Sequence, residues 1–343
     1  MSLRILSARA PAQRAEWLQR WEERGRDVFA HPAFCEAFAQ EGEPLAFSWR
    51  DAGGEVLFPL VKRPIAHADG GLCDLTTPYG YGGPFGWQRP DAASFWRELE
   101  RWAQAQHVVS LFSRLSLFEE DLAPFQGEVS VNRPNVVCDL RVPLEHIWRA
   151  YDHKVRNNVG RAEREGVRVE PEASTQRLDV FWEVYRSTME RRGSSPSLCF
   201  SRDWFADLCA GLSGQYCFFY ALHERRAVSV ELVLLSRGRA YSFLGGTFAD
   251  AFPLRPNDAL KHAAIQWSVA HHLTHYVLGG GLTPGDGIFR YKRAFAPRGL
   301  VDFKVARRVF LPDAYQRLTE QRERDLAAAG AVRSQDFFPA YRG

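Results

Sequence analysis

The sequence predicts an α/β protein, with mixed sheets, built as two related lobes in tandem. Three observations carry this. The chain has 343 residues, enough for about two domains of ordinary size. Apolar residues make up 45% and aromatic residues 13%, which supplies full cores and excludes a mainly disordered chain. A pattern of helices and short strands up to Pro143 is then followed by a second block with a similar grammar.

In the first block, residues 11–24 place Trp17, Leu18 and Trp21 at helical spacing, and His31-Pro32 opens a short helix through Phe38. Residues 45–49 and 55–61 read as strands around the turn Asp51-Ala52-Gly53-Gly54. Asp91 caps a helix to Gln106, and residues 108–112 and 135–142 read as strands. After Pro143 one basic helix is expected over 146–165, stopped by Gly166, then a short strand over 167–170. Helices follow at 178–192 and 202–212, and strands at 215–222, 227–236 and 240–245. Pro256-Asn257-Asp258 opens a helix to His271, and 275–278 is a strand. Residues 279–287 form a glycine-rich loop, 287–295 a short helix and 303–310 a strand. Asp313 is expected to cap a last helix ending at Gly330. The organisation predicted is a first lobe over 1–143, a second over 144–310, and a helix and tail over 311–343 packing back on the first.

Several function classes fall away. No apolar run approaches the roughly 18 residues that span a bilayer. The start, Met1-Ser2-Leu3-Arg4, carries no signal-like apolar region. The expectation is a cytoplasmic protein without a transmembrane segment, open at most to peripheral membrane contact. A net charge of +3 is too mild for a dedicated DNA-binding domain. Cys35, Cys73, Cys138, Cys199, Cys209 and Cys217 contain no C-x-x-C pair and read as small hydrophobes in a reducing compartment. His271 and His275 could share a helix face, but no neighbouring carboxylate or cysteine completes a shell, so no metal is expected. There is no G-x-S-x-G, G-x-x-x-x-G-K-[ST], H-E-x-x-H or helix-opening G-x-G-x-x-G. Of the 44 basic residues only five are lysines: Lys62, Lys154, Lys261, Lys292 and Lys304. A GC-rich genome explains such a bias; a surviving lysine also marks a place where a compact ammonium is not replaceable by a planar guanidinium.

Two regions carry chemistry. Within 152–165, Val155, Val159 and Ala162 form an inward stripe, leaving Lys154, Arg156, Arg161 and Arg164 on the other faces. Such a face receives phosphates of a nucleotide-sugar or an RNA backbone, or is simply solvated. The second region runs from Tyr241-Ser242-Phe243-Leu244-Gly245-Gly246 through Leu254-Arg255-Pro256-Asn257-Asp258 and Gly279-Gly280-Gly281 to Asp286-Gly287-Ile288-Phe289-Arg290-Tyr291-Lys292-Arg293-Ala294-Phe295. Glycines there let the backbone approach a ligand closely. Lys292 presents a positive charge suited to an acyl oxyanion or a phosphate. Tight turns and a solvated lysine are the plainer alternative.

This segment resembles the FemAB/FemX family of aminoacyltransferases and their CelD-like acetyltransferase relatives in the GNAT superfamily. Three further stretches are similar to the family: Asp74-Leu75-Thr76-Thr77-Pro78-Tyr79-Gly80-Tyr81-Gly82-Gly83-Pro84, His153-Lys154-Val155-Arg156-Asn157-Asn158-Val159 and Met189-Glu190-Arg191-Arg192-Gly193. The resemblance spans most of residues 74–310. It implies two GNAT-like lobes and acyl transfer to an amine. The long coiled-coil arm of some members is missing, because 172–216 holds only two short helices. The implied donor is an aminoacyl-tRNA ester, and the implied acceptor is the stem amine of a peptidoglycan precursor on a nucleotide-sugar or lipid carrier. An acyl-CoA-dependent N-acetyltransferase is the first alternative, and a non-catalytic binding protein for a cell-wall precursor or polysaccharide the second. No tightly bound cofactor is implied; aminoacyl-tRNA or acetyl-CoA enters as co-substrate. Asn157-x-x-Gly160-x-Ala162 is one residue off an acyl-CoA pyrophosphate loop and falls within a helix, which counts against acyl-CoA.

On this resemblance Lys292 is the catalytic residue, steadying the oxyanion or the leaving group. Lys154, Arg156, Arg192 and Arg290 hold substrate phosphates. Tyr79 and Tyr81 line an acceptor groove between the lobes, Tyr241 lines the acyl pocket, and Gly279, Gly280 and Gly281 form the close-approach loop. Asp258 reads as a helix N-terminal charge and Asp286 as a loop residue; no carboxylate is placed as a base.

Overall fold

A run of elements near the start of the chain is repeated after Gly166. The first run is β1 (Ser2–Ser7), α1 (Pro11–Glu23), α2 (Pro32–Ala37), β2 (Glu43–Arg50), β3 (Gly54–Pro64), β4 (Cys73–Thr76), β5 (Phe85–Gln88), α3 (Ala92–Ala105) and β6 (Val108–Arg114). Strand β7 (Glu128–Asp139) and helices α4 (Leu144–Ala150) and α5 (His153–Arg164) follow. The second run is β8 (Arg168–Glu172), α6 (Leu178–Arg192), α7 (Arg202–Gly211), β9 (Tyr216–His223), β10 (Arg226–Ser236), β11 (Arg239–Thr247), α8 (Pro256–Ala270) and β12 (His275–Gly279). Helix α9 (Gly287–Arg293), strand β13 (Leu300–Val309) and helix α10 (Pro312–Ala328) close the chain. With the short β5 set aside, the two runs match element for element. This is a computed structural model, and it describes residues 2–66, 69–283, 285–332 and 337–343.

Strand pairing repeats as well. Strands β1, β2, β3 and β4 join antiparallel, β4 runs parallel to β6, and β6 is antiparallel to β13. Strands β8, β9, β10 and β11 join antiparallel, β11 runs parallel to β12, and β12 is antiparallel to β7. Each parallel step needs a crossover, supplied by α3 in one case and α8 in the other. The chain divides into two compact units, Met1–Asn132 with Phe303–Gly343, and Arg133–Asp302. Helix α10 and the tail belong to the first.

The structure differs from the sequence expectation at identifiable places. The units part inside β7 and β13, where the sequence suggested residues 143 and 310. The reason is that each unit takes its sixth strand from beyond its own run, β13 in the first and β7 in the second. Pro143 is instead the residue before α4. The single helix expected over 146–165 is two, because Tyr151 is extended and Asp152 caps a new start. Leu311 rather than Asp313 precedes α10, with Pro312 in its first turn. Strands β1, β4 and β5, of four to six residues, carried too short a pattern to be read.

Each unit has its own core. Phe47, Phe58, Leu60, Phe95, Trp96 and Leu99 fill the first. Val155, Val159 and Ala162 of α5 meet Val233, Leu260, Ile265 and Tyr276 in the second. The stripe expected on the basic helix therefore does face inward. Burying side chains of this size stabilises by about 1.5–3 kcal/mol each.

One buried carboxylate gathers two of the contacts that hold the tail within the first unit. Asp74 is fully buried. It accepts from Arg63 Nε at 2.8 Å, Arg342 Nε at 2.6 Å and the Tyr341 hydroxyl at 3.2 Å. Tyr341 shares a further hydrogen bond of 2.8 Å with Ser110. Asp74→Ala is expected to lower the unfolding free energy by about 2–3 kcal/mol in urea denaturation, because it strips partners from two guanidinium groups and a phenol together. Arg342→Ala should cost less, since Arg63 still answers the carboxylate.

Candidate active site

Strand β10 reads Arg-Ala-Val-Ser-Val-Glu-Leu-Val-Leu-Leu-Ser, and Glu231 is the one charge inside its apolar stretch. Alternation puts Glu231 on the face of Val233, which lies in the core with α5 and α8. The side chain is accordingly buried, 4% exposed. Such a carboxylate is costly unless it is paired. Lys261 of α8, 5% exposed, pairs with it. The Lys261 ammonium donates to Glu231 Oε1 and, at 2.8 Å, to Ser242 Oγ. The Ser242 hydroxyl donates to the same Oε1. Tyr276 of β12 lies beside this group, its ring centre 5.8 Å from the Lys261 ammonium. Burial, and then the Glu231 charge, push its phenol well above the usual range. Among the described residues, Glu231 Oε2 and the Tyr276 hydroxyl are buried without a hydrogen-bond partner.

The cluster sits where two strands diverge. The parallel ladder of β11 and β12 covers Arg239–Tyr241 against His275–Val277, while β11 runs on to Thr247. On its other edge β11 bulges at Phe243, since Leu232 pairs with Leu244 and Val233 with Ser242. Gly245 belongs there for steric reasons: a Cβ would lie 2.3 Å from the Val230 carbonyl oxygen.

The loop after β12 brings in Lys292. Asp286 caps α9, accepting from the backbone N–H of Phe289 at 2.7 Å, Leu282 at 2.6 Å and Thr283 at 3.1 Å. These donors hold its carboxyl down at about 2. Gly281 is required by this closure, because a Cβ there would lie 2.4 Å from Asp286 Oδ1. Gly279 turns with φ +83°, in the left-handed region. Gly280 passes close to Asn135 and offers its carbonyl to the Lys292 ammonium at 2.8 Å. Burial lowers Lys292 to about 8, and the like charge of Lys261 adds to this, while Glu231 and Asp286 act in the opposite sense. At pH 7 the group is therefore mainly an ammonium.

The other residues singled out in the sequence have these places. Lys154 is exposed in the first turn of α5, near enough to influence Asp258. Asp258 is buried at the start of α8, accepts from Asn158 Nδ2 at 3.2 Å, and is pushed up by burial. Arg156 donates to the carbonyls of Arg149, at 3.1 Å, and Tyr151, closing the end of α4. Arg192 is exposed at the end of α6, and Arg290 is exposed and donates to the Gly285 carbonyl at 2.6 Å. Tyr241 is buried within β11. Tyr79 and Tyr81 belong to the first unit. Tyr79 stacks on Phe38 with ring centres 5.6 Å apart, and Tyr81 meets Phe29 and Phe303 edge-on. His271 stacks on Trp267 at 3.7 Å, and no group of His, Cys, Asp or Glu suited to a metal occurs among the described residues.

The second unit thus holds Lys292 and its three glycines together with Glu231, Lys261, Ser242 and Tyr276; sequence reasoning passed over Glu231 and Tyr276 and gave Lys261 and Ser242 no site role. The signal for the two charges was present: a lone glutamate in an apolar strand and a lysine beside Leu260 in an apolar helix.

Residues 149–293 match the family model of the acetyltransferase (GNAT) domain. The chain carries a GNAT acyltransferase domain. All of the matched residues lie in the second unit. The fold is similar to that of FemX, with a TM-score of 0.66 at 12% identity over 86% of this chain and 97% of FemX. It is also similar to a chain assigned as the C-terminal domain of a lysylphosphatidylglycerol synthetase from Agrobacterium fabrum, with a TM-score of 0.57 at 14% identity over 90% of this chain and 96% of that one. Among curated proteins none matches the sequence. The architecture is two GNAT-like lobes in tandem, with no long coiled-coil arm among the described residues. No described helix is long and apolar enough to cross a membrane.

Asp286→Ala is expected to release the loop before α9. Hydrogen exchange of the Leu282, Thr283 and Phe289 amides should accelerate, while Asp286→Asn, which keeps an acceptor oxygen, should preserve part of their protection.

Proposed function

We propose that the GNAT domain transfers an aminoacyl group from aminoacyl-tRNA to a primary amine of a peptidoglycan-precursor-like acceptor carried on a nucleotide-sugar or a lipid, within the cytoplasm. The observation that carries the reading is the largely buried Lys292 ammonium, aimed at the Gly280 carbonyl by a loop that Asp286 closes. A neutral acceptor amine attacks the ester carbonyl, the C–N bond forms, and charge gathers on the carbonyl oxygen. An ammonium already in place stabilises that charge without reorganisation. The oxyanion then collapses, the C–O ester bond breaks, and the ribose hydroxyl leaves as the nitrogen loses its proton. Lys154, Arg192 and Arg290, all exposed, are available to phosphates, with Arg156 holding the turn between α4 and α5 beneath Lys154.

A second reading takes acyl-CoA as donor. The family model in question is that of an acetyltransferase domain, and the edge of β11 beyond Tyr241 suits an extended, amide-bearing chain. The two separate cleanly. A tRNA-dependent enzyme loses turnover on ribonuclease treatment and binds with a steep salt dependence. A CoA-dependent one is stabilised thermally by acetyl-CoA in proportion to its concentration over Kd.

Lys292→Ala should lower kcat/KM by about 10²–10³-fold with the true donor. Because the working form is the protonated one, wild-type activity should fall as pH rises through about 8. Lys292→Arg should carry that fall beyond the accessible range, since a guanidinium stays charged. Full turnover by Lys292→Ala would remove the assignment.

A further inference from the structure

The Glu231–Lys261 pair asks for an explanation other than stability. Two charges of this burial cost several kcal/mol of desolvation each, and well-packed apolar residues often serve a fold as well or better. The corresponding helix of the first unit, α3, fills its core with Phe95, Trp96 and Leu99. Helix α8 of the second unit differs from α3 in carrying the buried Lys261, and Lys292 lies in the same unit.

Tyr291, the neighbour of Lys292 in α9, donates to the carbonyl of Asn257 in α8 at 3.1 Å, one turn before Lys261, so α9 meets α8 at this point. The charges of Lys261, Glu231 and Asp286 act on the Lys292 ammonium. Asp286 is committed to three backbone N–H groups. Glu231 takes both of its charged or hydroxyl donors on one oxygen. Its Oε1 accepts from the Lys261 ammonium and the Ser242 hydroxyl, while among the described residues Oε2 meets no ammonium or guanidinium and has the neutral Tyr276 phenol as its neighbour. Among the described residues, Lys292 makes its hydrogen bond with the Gly280 carbonyl and no ion pair with Glu231.

We propose that Glu231, Lys261 and Ser242 form a charge-setting triad that positions Lys261 to occupy the buried carboxylate and so keeps the Lys292 ammonium unpaired for the oxyanion. Without Lys261 the carboxylate turns its full charge toward Lys292 and captures it in an inert ion pair. Without Glu231 two ammonium groups repel each other and Lys292 gives up its proton more readily. The three are positioning residues, and their value to catalysis rests on the function proposed above. The charge coupling itself does not.

The small number of lysines allows a direct test on the intact, substrate-free protein. With 13C-labelled lysine the five ε-methylene signals are resolvable, and Lys292→Arg identifies the one of interest. Its titration midpoint should rise by about one pH unit in Lys261→Met and fall by a similar amount in Glu231→Gln. It should return close to the wild-type value in the double variant, which leaves no unpaired buried charge. Ser242→Ala removes only the bridging hydroxyl and should raise the midpoint by a smaller amount. It serves, with the double variant, if either single variant fails to fold. A merely structural pair predicts no opposed movement. Equal midpoints throughout, shifts of the same sign in the two single variants, or an unmoved midpoint in Ser242→Ala would overturn the proposal. Opposed shifts in a protein whose Lys292→Ala variant keeps full turnover would leave the triad standing and remove the catalytic reading instead.

Discussion

A carboxylate buried between a sheet and a helix has to be answered where it stands, and in the second unit the rest of the site follows from that constraint. Glu231 lies on the face of β10 that α8 covers, so its partner has to come from α8 or from the neighbouring strand, and both contribute. Lys261 is thereby held inside the helix–sheet interface instead of extending to solvent. Lys292 is left under the influence of a carboxylate already occupied and of an ammonium that repels it. Its hydrogen bond among the described residues goes to a backbone carbonyl, a weaker hold than an ion pair. A charge in this condition is poised to meet another that develops during a reaction.

The duplicated topology isolates what is particular to this unit. Both units arrange a strand, two helices, three further strands, a crossover helix and a parallel strand in the same order. In the first, the layer between α3 and its sheet is aromatic and aliphatic, with Phe47, Phe58, Phe95 and Trp96 filling it. In the second, the same layer admits a glutamate, a lysine, a serine and a tyrosine beside its apolar core. The backbone plan is common to both; the side chains that interrupt the core are not. The chemistry therefore belongs to residues placed on the fold and not to the fold itself.

The glycines after β12 act through geometry. Gly279 reverses the chain with a positive φ, and Gly281 makes room for the Asp286 carboxylate. That carboxylate gathers the N–H groups of Leu282, Thr283 and Phe289 and starts α9 about one and a half turns before Lys292. Loop closure and helix capping are thus one event. The lysine is placed by the same atoms that stop the loop from opening.

Much of this was legible in the sequence wherever the signal was local. Helical spacing found α1, cap and helix-opening residues found α3 and α8, the Asp51–Gly54 turn marked its hairpin, and the inward stripe of α5 is as the spacing of Val155, Val159 and Ala162 required. Resemblance of motifs along the chain also led to a GNAT acyltransferase. Three things needed the tertiary structure. The unit boundaries fall inside β7 and β13, because strand exchange between distant parts of the chain leaves no mark in composition. The break at Tyr151-Asp152 was hidden because Asp152 serves equally well inside a polar helix face or as a cap. The Glu231–Lys261 pair was visible only as two isolated charges in apolar surroundings, thirty residues apart. Sequence alone determined which residues were too polar for the core they occupy. Only the fold decided that they occupy it together and within range of the Lys292 charge, because pairing across a sheet and a helix depends on register and crossover, which no local pattern encodes.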